Sequence, residues 1–255
     1  MLGDEHVKRR RDAPVGFFEV EAAGLRWLAV PGGVAVAEPL DVSPTHLSTT
    51  RLESAAPTGA AADEFGRQLA ATHDAGARYF GVPPDGWDGD GYIGTLVLPH
   101  AREAAPSWGG FYANLRLRPY LRAAYNQRTL DGHQLEVFER VCARLETGTY
   151  DHPSDAPSRI HGDLWSGNVL WTADGVHLID PAAHGGHRET DLAMLGLFGL
   201  PYLERVLRAY DEAHPLADGW RERVGLHRLH PLLTHAVMFG GSYAAQAIAM
   251  AHQYG

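Results

Sequence analysis

The run Asn168–Asp180, NVLWTADGVHLID, leaves the chain little freedom. Two short apolar stretches, NVLW and VHLID, flank Asp174-Gly175, a turn signal of β-hairpins. Folded back on itself, such a hairpin brings Asn168 and Asp180 together although they lie twelve positions apart. Whatever else the chain does, it places an amide and a carboxylate side by side at the open end of two strands.

Just upstream, His161-Gly162-Asp163 is followed after four residues by Asn168. This is the spacing of a phosphotransferase catalytic loop. The chemistry explains the set. Phosphoryl transfer from ATP needs a base near the acceptor hydroxyl, and Asp163 supplies one. It also needs a metal to neutralise the phosphates. The Asn168 carbonyl and the Asp180 carboxylate are hard oxygen ligands suited to Mg²⁺. Leu170 and Ile179, beside those ligands, are placed to form a floor under a purine ring. A lone HGD would be weak, since Asp and Gly favour any turn; the hairpin and the strand-terminal Asp180 make the joint pattern more specific.

Composition narrows the alternatives. The formal charge of −9 argues against a general nucleic-acid binder. No stretch approaches the ~18 apolar residues of a membrane span, and the N-terminus has no signal-peptide core. The single cysteine, Cys142, excludes an internal disulfide and suits a reducing cytoplasm. It sits at helical spacing with Leu135, Phe138, Val141 and Leu145, which makes it a buried apolar position. The 15 histidines show no zinc-finger spacing.

Along the chain, EHVKR reads as a strand and FFEVEAAGLRWLAV as a helix with Phe18, Ala22, Leu25 and Leu28 on one stripe. VAVAEPLDV reads as a strand that stops at its proline, and THLSTTRLE as another strand. The small-residue stretch Ser54–Asp63 reads as a linker between lobes. A helix then ends near Gly76, and a glycine-rich stretch, YFGVPPDGWDGDGYIG, reads as a functional loop. Helices are expected around Trp108–Ala124 and Asp131–Glu146, and from Thr190 to the C-terminus.

HGDLWSGN, followed by IDPA and GHRETDLAM, resembles the fructosamine kinase (ketosamine-3-kinase) family, itself related to aminoglycoside phosphotransferases and protein kinases. The likeness runs from about Val7 to the C-terminus and is strongest over 160–199. It implies an α+β, two-lobed protein-kinase-like fold. The expected division is an N-terminal lobe over residues 1–55 and a mostly helical C-terminal lobe over 56–255. It implies ATP-dependent phosphorylation of the 3-hydroxyl of a ketosamine, a sugar joined to an amine, which releases the amine and reverses glycation. Carried over by position, Asp163 is the base, Asn168 and Asp180 bind Mg²⁺, and Trp165 packs on the sugar or the cationic amine. His161 belongs with the substrate side of the site and orients the loop by hydrogen bonds. Lys8 would hold the ATP phosphates and Glu21 would pair with it. Asp191 would brace the loop, and His184, His187 and Glu189 would shape the cleft wall.

The family's glycine-rich loop, which covers the ATP phosphates, precedes the lysine strand, and these 255 residues do not include it. The N-terminal lobe is therefore expected to be reduced, with an open sheet edge. Three other readings stay open. One is a catalytically weak kinase-like binding protein; another is a phosphotransferase for a different amino-sugar or aminoglycoside. The third is a metal-dependent hydrolase built on His161, Asp163, Asp180 and His184. Oligomeric state and the preferred ketosamine are not legible.

Overall fold

The computed structural model describes residues 5–255. Strand β1 (Glu5–Arg9) leads into helix α1 (Phe17–Leu28), then strands β2 (Ala35–Val36), β3 (Pro39–Ser43) and β4 (His46–Thr50). An antiparallel sheet has the order β1-β4-β3, with Lys8 opposite Leu47. The expected stripe of α1 is what it buries: Phe18, Ala22 and Leu25 close on Leu47. At Gly24, α1 comes close to the segment after Asp180. A Cβ there would lie 3.1 Å from the Ala183 Cβ.

VAVAEPLDV is not one strand ended by its proline. Ala35–Val36 pairs parallel with a later strand, and Pro39 opens β3 in the other sheet. The switch is made at Ala37 and Glu38: the Ala37 amide donates to Leu178, and the Glu38 amide donates to the Thr50 hydroxyl. Proline at the first residue of an edge strand removes no ladder hydrogen bond.

The helical lobe begins with α2 (Gly59–Asp74). Thr58 caps it by accepting from the Ala61 amide at 3.1 Å, so the small-residue stretch expected to be linker is already helical in its second half. Gly76, in the left-handed region at φ +69°, ends that helix as expected. The glycine-rich stretch is not all irregular: it contains β5 (Gly91–Ile93), which turns through Gly94 into β6 (Leu96–Leu98). Next come α3 (Trp108–Phe111), a π-helical stretch (Tyr112–Leu117), α4 (Arg118–Asn126) and α5 (Gly132–Glu146). Strand β7 (Ser158–Ile160) leads to the hairpin β8 (Val169–Thr172) and β9 (Gly175–Leu178), with Thr172 paired to Gly175 around the expected turn. Strand β10 (His184–Gly186) and helices α6 (Arg188–Leu195), α7 (Leu203–Ala213), α8 (Trp220–Phe239) and α9 (Tyr243–Tyr254) complete the chain. The break between α8 and α9 falls at Gly240-Gly241, both at positive φ.

Two large cores follow. One joins α3, α4, α5, α8 and α9 around Trp108, Phe138 and Leu229. It contains Cys142, whose thiol burial pushes up to about 12, as suits an inert packing residue. The other lays α2, α6 and α7 over the hairpin, with Phe65, Leu69, Trp171, Leu178 and Tyr210 inside. Each such side chain contributes about 1.5–3 kcal/mol by leaving water. Among the described residues no helix is long and apolar enough to cross a membrane.

The α2–α7 contact is tightest at Gly66, where a Cβ would lie only 2.3 Å from the Val206 carbonyl. Helix propensity alone favours Gly66→Ala by about 0.5–1 kcal/mol. Backbone crowding wins instead, and we expect Gly66→Ala to lose about 2 kcal/mol, read as a lower urea midpoint. A higher midpoint would mean that the two helices part freely.

Candidate active site

The catalytic loop is held from behind by one carboxylate. Asp191, at the start of α6 and fully buried, accepts from the His161 amide at 2.7 Å and from the Gly162 amide at 3.0 Å. His73 of α2 reaches the same carboxylate at 3.3 Å through Nε2, and its Nδ1 meets the Tyr210 hydroxyl of α7 at 2.7 Å. Burial holds the His73 pKa below the usual range, so the neutral ring donates to Asp191 and accepts from Tyr210. Neither His73 nor Tyr210 carries a sequence signal for this role, because both read as ordinary core positions on amphipathic helices.

His161 turns inward. It is 1% exposed, its Nε2 donates to the Ile179 carbonyl at 2.8 Å, and its Nδ1 accepts from the Asp163 amide at 3.2 Å. Both ring nitrogens are spent on the protein. Its place among the substrate-contacting residues is therefore corrected: it lines no part of the cleft, and acts by clamping the loop to the strand that ends at Asp180.

Asp163 is half-buried at the floor of a cleft of about 420 Å³, shared with Lys8, Glu21, Trp165, Asn168 and Asp180. The Asn168 side-chain amide donates to the Asp163 carbonyl at 2.8 Å and to its Oδ2 at 3.1 Å. Both partners are acceptors, so the amide nitrogen must face them and Oδ1 is left for another ligand. Burial raises Asp163 to about 7, against the opposing Asn168 hydrogen bond, with the charges of Asp180 and Asp191 adding to the rise. A carboxylate poised there can take a proton at neutral pH.

Asp180 sits at the end of the hairpin with φ +56°, a conformation unusual for a non-glycine residue. Lys8 Nζ lies 2.5 Å from its Oδ1 and 2.6 Å from Glu21 Oε1, so β1 and α1 meet the hairpin through one ammonium. Burial alone would lower the Lys8 pKa, but the two carboxylates more than offset it and raise it. Burial pushes the Glu21 carboxyl up while the Lys8 charge pulls it back; at 2.6 Å the geometry favours the ionised pair. Asn168 Oδ1 and the Asp180 carboxylate form a hard-oxygen donor set of the kind a magnesium ion takes.

Trp165 is 37% exposed and lines the cleft. Its ring lies across Gly167, where a Cβ would fall 2.2 Å from the indole, and meets Phe198 edge-on at 5.9 Å. Leu170 and Ile179 are half-buried on the hairpin and are not part of the cleft lining. Sequence reading missed Phe17 and Tyr92, whose rings stand 5.3 Å apart in the cleft lining. The signal available for Tyr92 was the Gly-Tyr-Ile-Gly run in the loop marked as functional.

The four residues of the hydrolase reading do not converge. His161 is committed as above, and buried His184 accepts from the Arg116 Nε at 3.3 Å and donates to the Ala182 carbonyl at 2.8 Å. His187, Glu189 and His227 do cluster, yet Glu189 is paired with Arg223, and His187 with Asp155 at 3.0 Å. Burial opposes ionisation of Glu189, but the adjacent His227 and its hydrogen bonds from Arg223 hold it down at about 2. A carboxylate already paired with arginine is a poor seat for a second cation, so this cluster is core, away from the cleft lining.

The sequence model of the fructosamine kinase family matches residues 4–254. A probable ketoamine kinase of Vibrio vulnificus is 33% identical over 235 residues, covering 90% of this chain and 77% of its own. The crystal structure of a presumed fructosamine-3-kinase from Thermobifida fusca superposes with a TM-score of 0.90 at 46% identity, covering 98% of this chain and 85% of that one. An ADP-bound aminoglycoside phosphotransferase superposes with a TM-score of 0.61 at 10% identity, over 99% of this chain and 88% of that one, which shows the shared kinase-like fold.

The raised Asp163 pKa has a stability consequence whose sign is fixed. The folded value of about 7 lies above the ~3.9 of an unfolded aspartate. Between those values the folded protein holds a proton that the unfolded chain has lost, so stability falls as pH rises through that window. Removing the carboxylate removes the penalty. Asp163→Asn is expected to be more stable than the wild type at pH 8, by about 1–2 kcal/mol once solvent at the cleft mouth is allowed for, with the gap shrinking towards pH 5. Melting curves across that range check it; a less stable variant at pH 8 would show that the carboxylate is not strained.

Proposed function

We propose that the chain, which belongs to the fructosamine kinase family, phosphorylates the 3-hydroxyl of ketosamines with ATP. The observation that carries this reading is the convergence of Asp163, Asn168, Asp180 and the Lys8–Glu21 pair on one cleft, in a family of small-molecule kinases. We take residues 1–55 as the nucleotide-side lobe and 56–255 as the acceptor-side lobe. A reducing cytoplasm suits its one buried thiol.

In this reading the acceptor hydroxyl approaches the Asp163 oxygen not engaged by Asn168. As the hydroxyl oxygen bonds to the γ-phosphorus, the bond from that phosphorus to the β–γ bridging oxygen breaks. Asp163 takes the hydroxyl proton, and ADP leaves with the bridging electrons. Asn168 holds the carboxylate in place, which matters because misplacement by 1 Å costs on the order of 10² in rate. Lys8 faces the phosphate chain, which would compete with Asp180 for its ammonium. Magnesium held by Asn168 Oδ1 and Asp180 would neutralise the phosphate charge. Trp165 offers an aromatic face to the sugar or its amine, an attraction of about 0.5–2 kcal/mol for a cation. Leu170 and Ile179, half-buried outside the cleft lining, are not assigned a purine contact. Loss of the amine from the 3-phosphorylated product would make the reaction a deglycation step.

The direct test is turnover. ATP, magnesium and ribulosyl-lysine or fructosyl-lysine should give ADP and a 3-phosphate visible by ³¹P NMR. Phosphorylation of an aminoglycoside but of neither ketosamine would move the protein to the amino-sugar reading, and no turnover with either would favour the weak binding protein.

Asp163→Asn should lower kcat by about 10²–10⁴-fold while leaving ATP affinity nearly unchanged. The wild-type kcat/KM should fall about tenfold per pH unit below about 7. Asp180→Ala should instead remove magnesium-dependent nucleotide binding measured by calorimetry, with Asn168→Ala a milder form. Unchanged magnesium-dependent affinity in Asp180→Ala would sink the ligand assignment.

A further inference from the structure

The face of the catalytic loop turned away from the cleft carries a second constellation. Gly162 borders a small cavity of about 10 Å³, with Arg116, His184 and His230 in its wall. That volume suits one water-sized or monoatomic guest. Arg116 projects from the π-helical stretch Tyr112–Leu117, a rare backbone form often found where function requires it.

The arginine is 2% exposed. Its Nη1 donates to the carbonyls of Pro99 at 2.7 Å and Leu115 at 2.9 Å, and its Nε donates to His184. Its Nη2 has no hydrogen-bond partner among the described residues, and neither does the Nε2 of His230, itself 2% exposed. No carboxylate of the described residues hydrogen-bonds or ion-pairs with Arg116. Asp90, whose negative charge acts on the guanidinium, is engaged instead with the His100 amide and Arg102. Burial keeps His184 and His230 neutral. The group therefore carries a positive charge inside the protein that no carboxylate of the described residues pairs with directly; two carbonyls, the Phe111 ring with its centroid 4.7 Å from the guanidinium carbon, and the field of Asp90 offset it in part. An uncompensated buried ion costs several kcal/mol. A water molecule would satisfy both free nitrogens but not the charge.

We propose that this cavity binds a single small monovalent anion, chloride being the ordinary one, between Arg116 Nη2 and the Nε2–H of His230. The anion would neutralise the guanidinium and fix its position. That position passes to the active site in three steps: Arg116 to His184, His184 to the Ala182 carbonyl, and the Ala182 amide to the His161 carbonyl at 2.9 Å. The site stands whether or not the assignment of substrate above is right.

Bromide replaces chloride and scatters anomalously, so crystals of the full chain soaked in sodium bromide give a direct reading. The expected result is an anomalous peak between Arg116 and His230. In solution, the protein in sodium chloride should melt on the order of 3 °C higher than in sodium gluconate at equal concentration, if chloride stands at about ten times its dissociation constant. Arg116→Met should melt identically in the two salts. Should that variant fail to fold, His230→Phe, which removes the second donor and fills the cavity, must equalise them instead. A cavity that shows only water in bromide overturns the proposal. Equal wild-type melting in the two salts, or a chloride effect that survives these substitutions, overturns it too.

Discussion

Much of the site depends on a single buried carboxylate. Asp191 takes the two successive amides of His161 and Gly162, groups that a loop leaving β7 would otherwise bury without partners. Each unsatisfied buried amide costs about 1–3 kcal/mol, so the loop has one low-energy path. His73 and Tyr210 hold Asp191 in turn, which ties the loop to the α2–α7 packing. The side chains that face the cleft inherit their positions from groups that never reach it.

Against that frame, the cleft residues are tuned by what surrounds them. Asp163 is costly because it is a charge taken partly out of water beside two more carboxylates, and the same cost places it near neutrality. Asp180 adopts a left-handed backbone, and its charge is shared with Lys8 from the other lobe. Strain at such positions persists only where the surroundings over-determine them. Here the hairpin, the His161 clamp on Ile179 and the close approach of α1 at Gly24 supply that constraint.

Sequence patterns with short range were legible. The turn at Asp174-Gly175, the α1 stripe and the core role of Cys142 all follow from spacing within a dozen residues, and each stands in the structure. Readings failed where a residue's partner lay far away. VAVAEPLDV alternates like one strand, yet its halves pair with β9 and β4, and no local rule says where a strand changes sheet. Ser54–Asp63 has linker composition, but packing against α7 pulls its second half into helix. His161 looks like a site residue, and only its distant acceptor, the Ile179 carbonyl, reveals that it faces inward.

The sequence by itself determined which chemistry was possible: a carboxylate, an amide and a second carboxylate at spacings that a tight hairpin must bring together. It also determined the family, because that spacing is written in contiguous letters. Only the tertiary structure decided which of these groups face the cleft, that Lys8 reaches Asp180 as well as the expected Glu21, and that Phe17 and Tyr92 line the cleft. It alone decided that Arg116 is buried with no ion-pair partner among the described residues. The physical reason is common to all of these. Residue type and near-neighbour spacing are set by the chain, whereas burial, dielectric and the identity of a hydrogen-bond partner are properties of what packs on it from elsewhere.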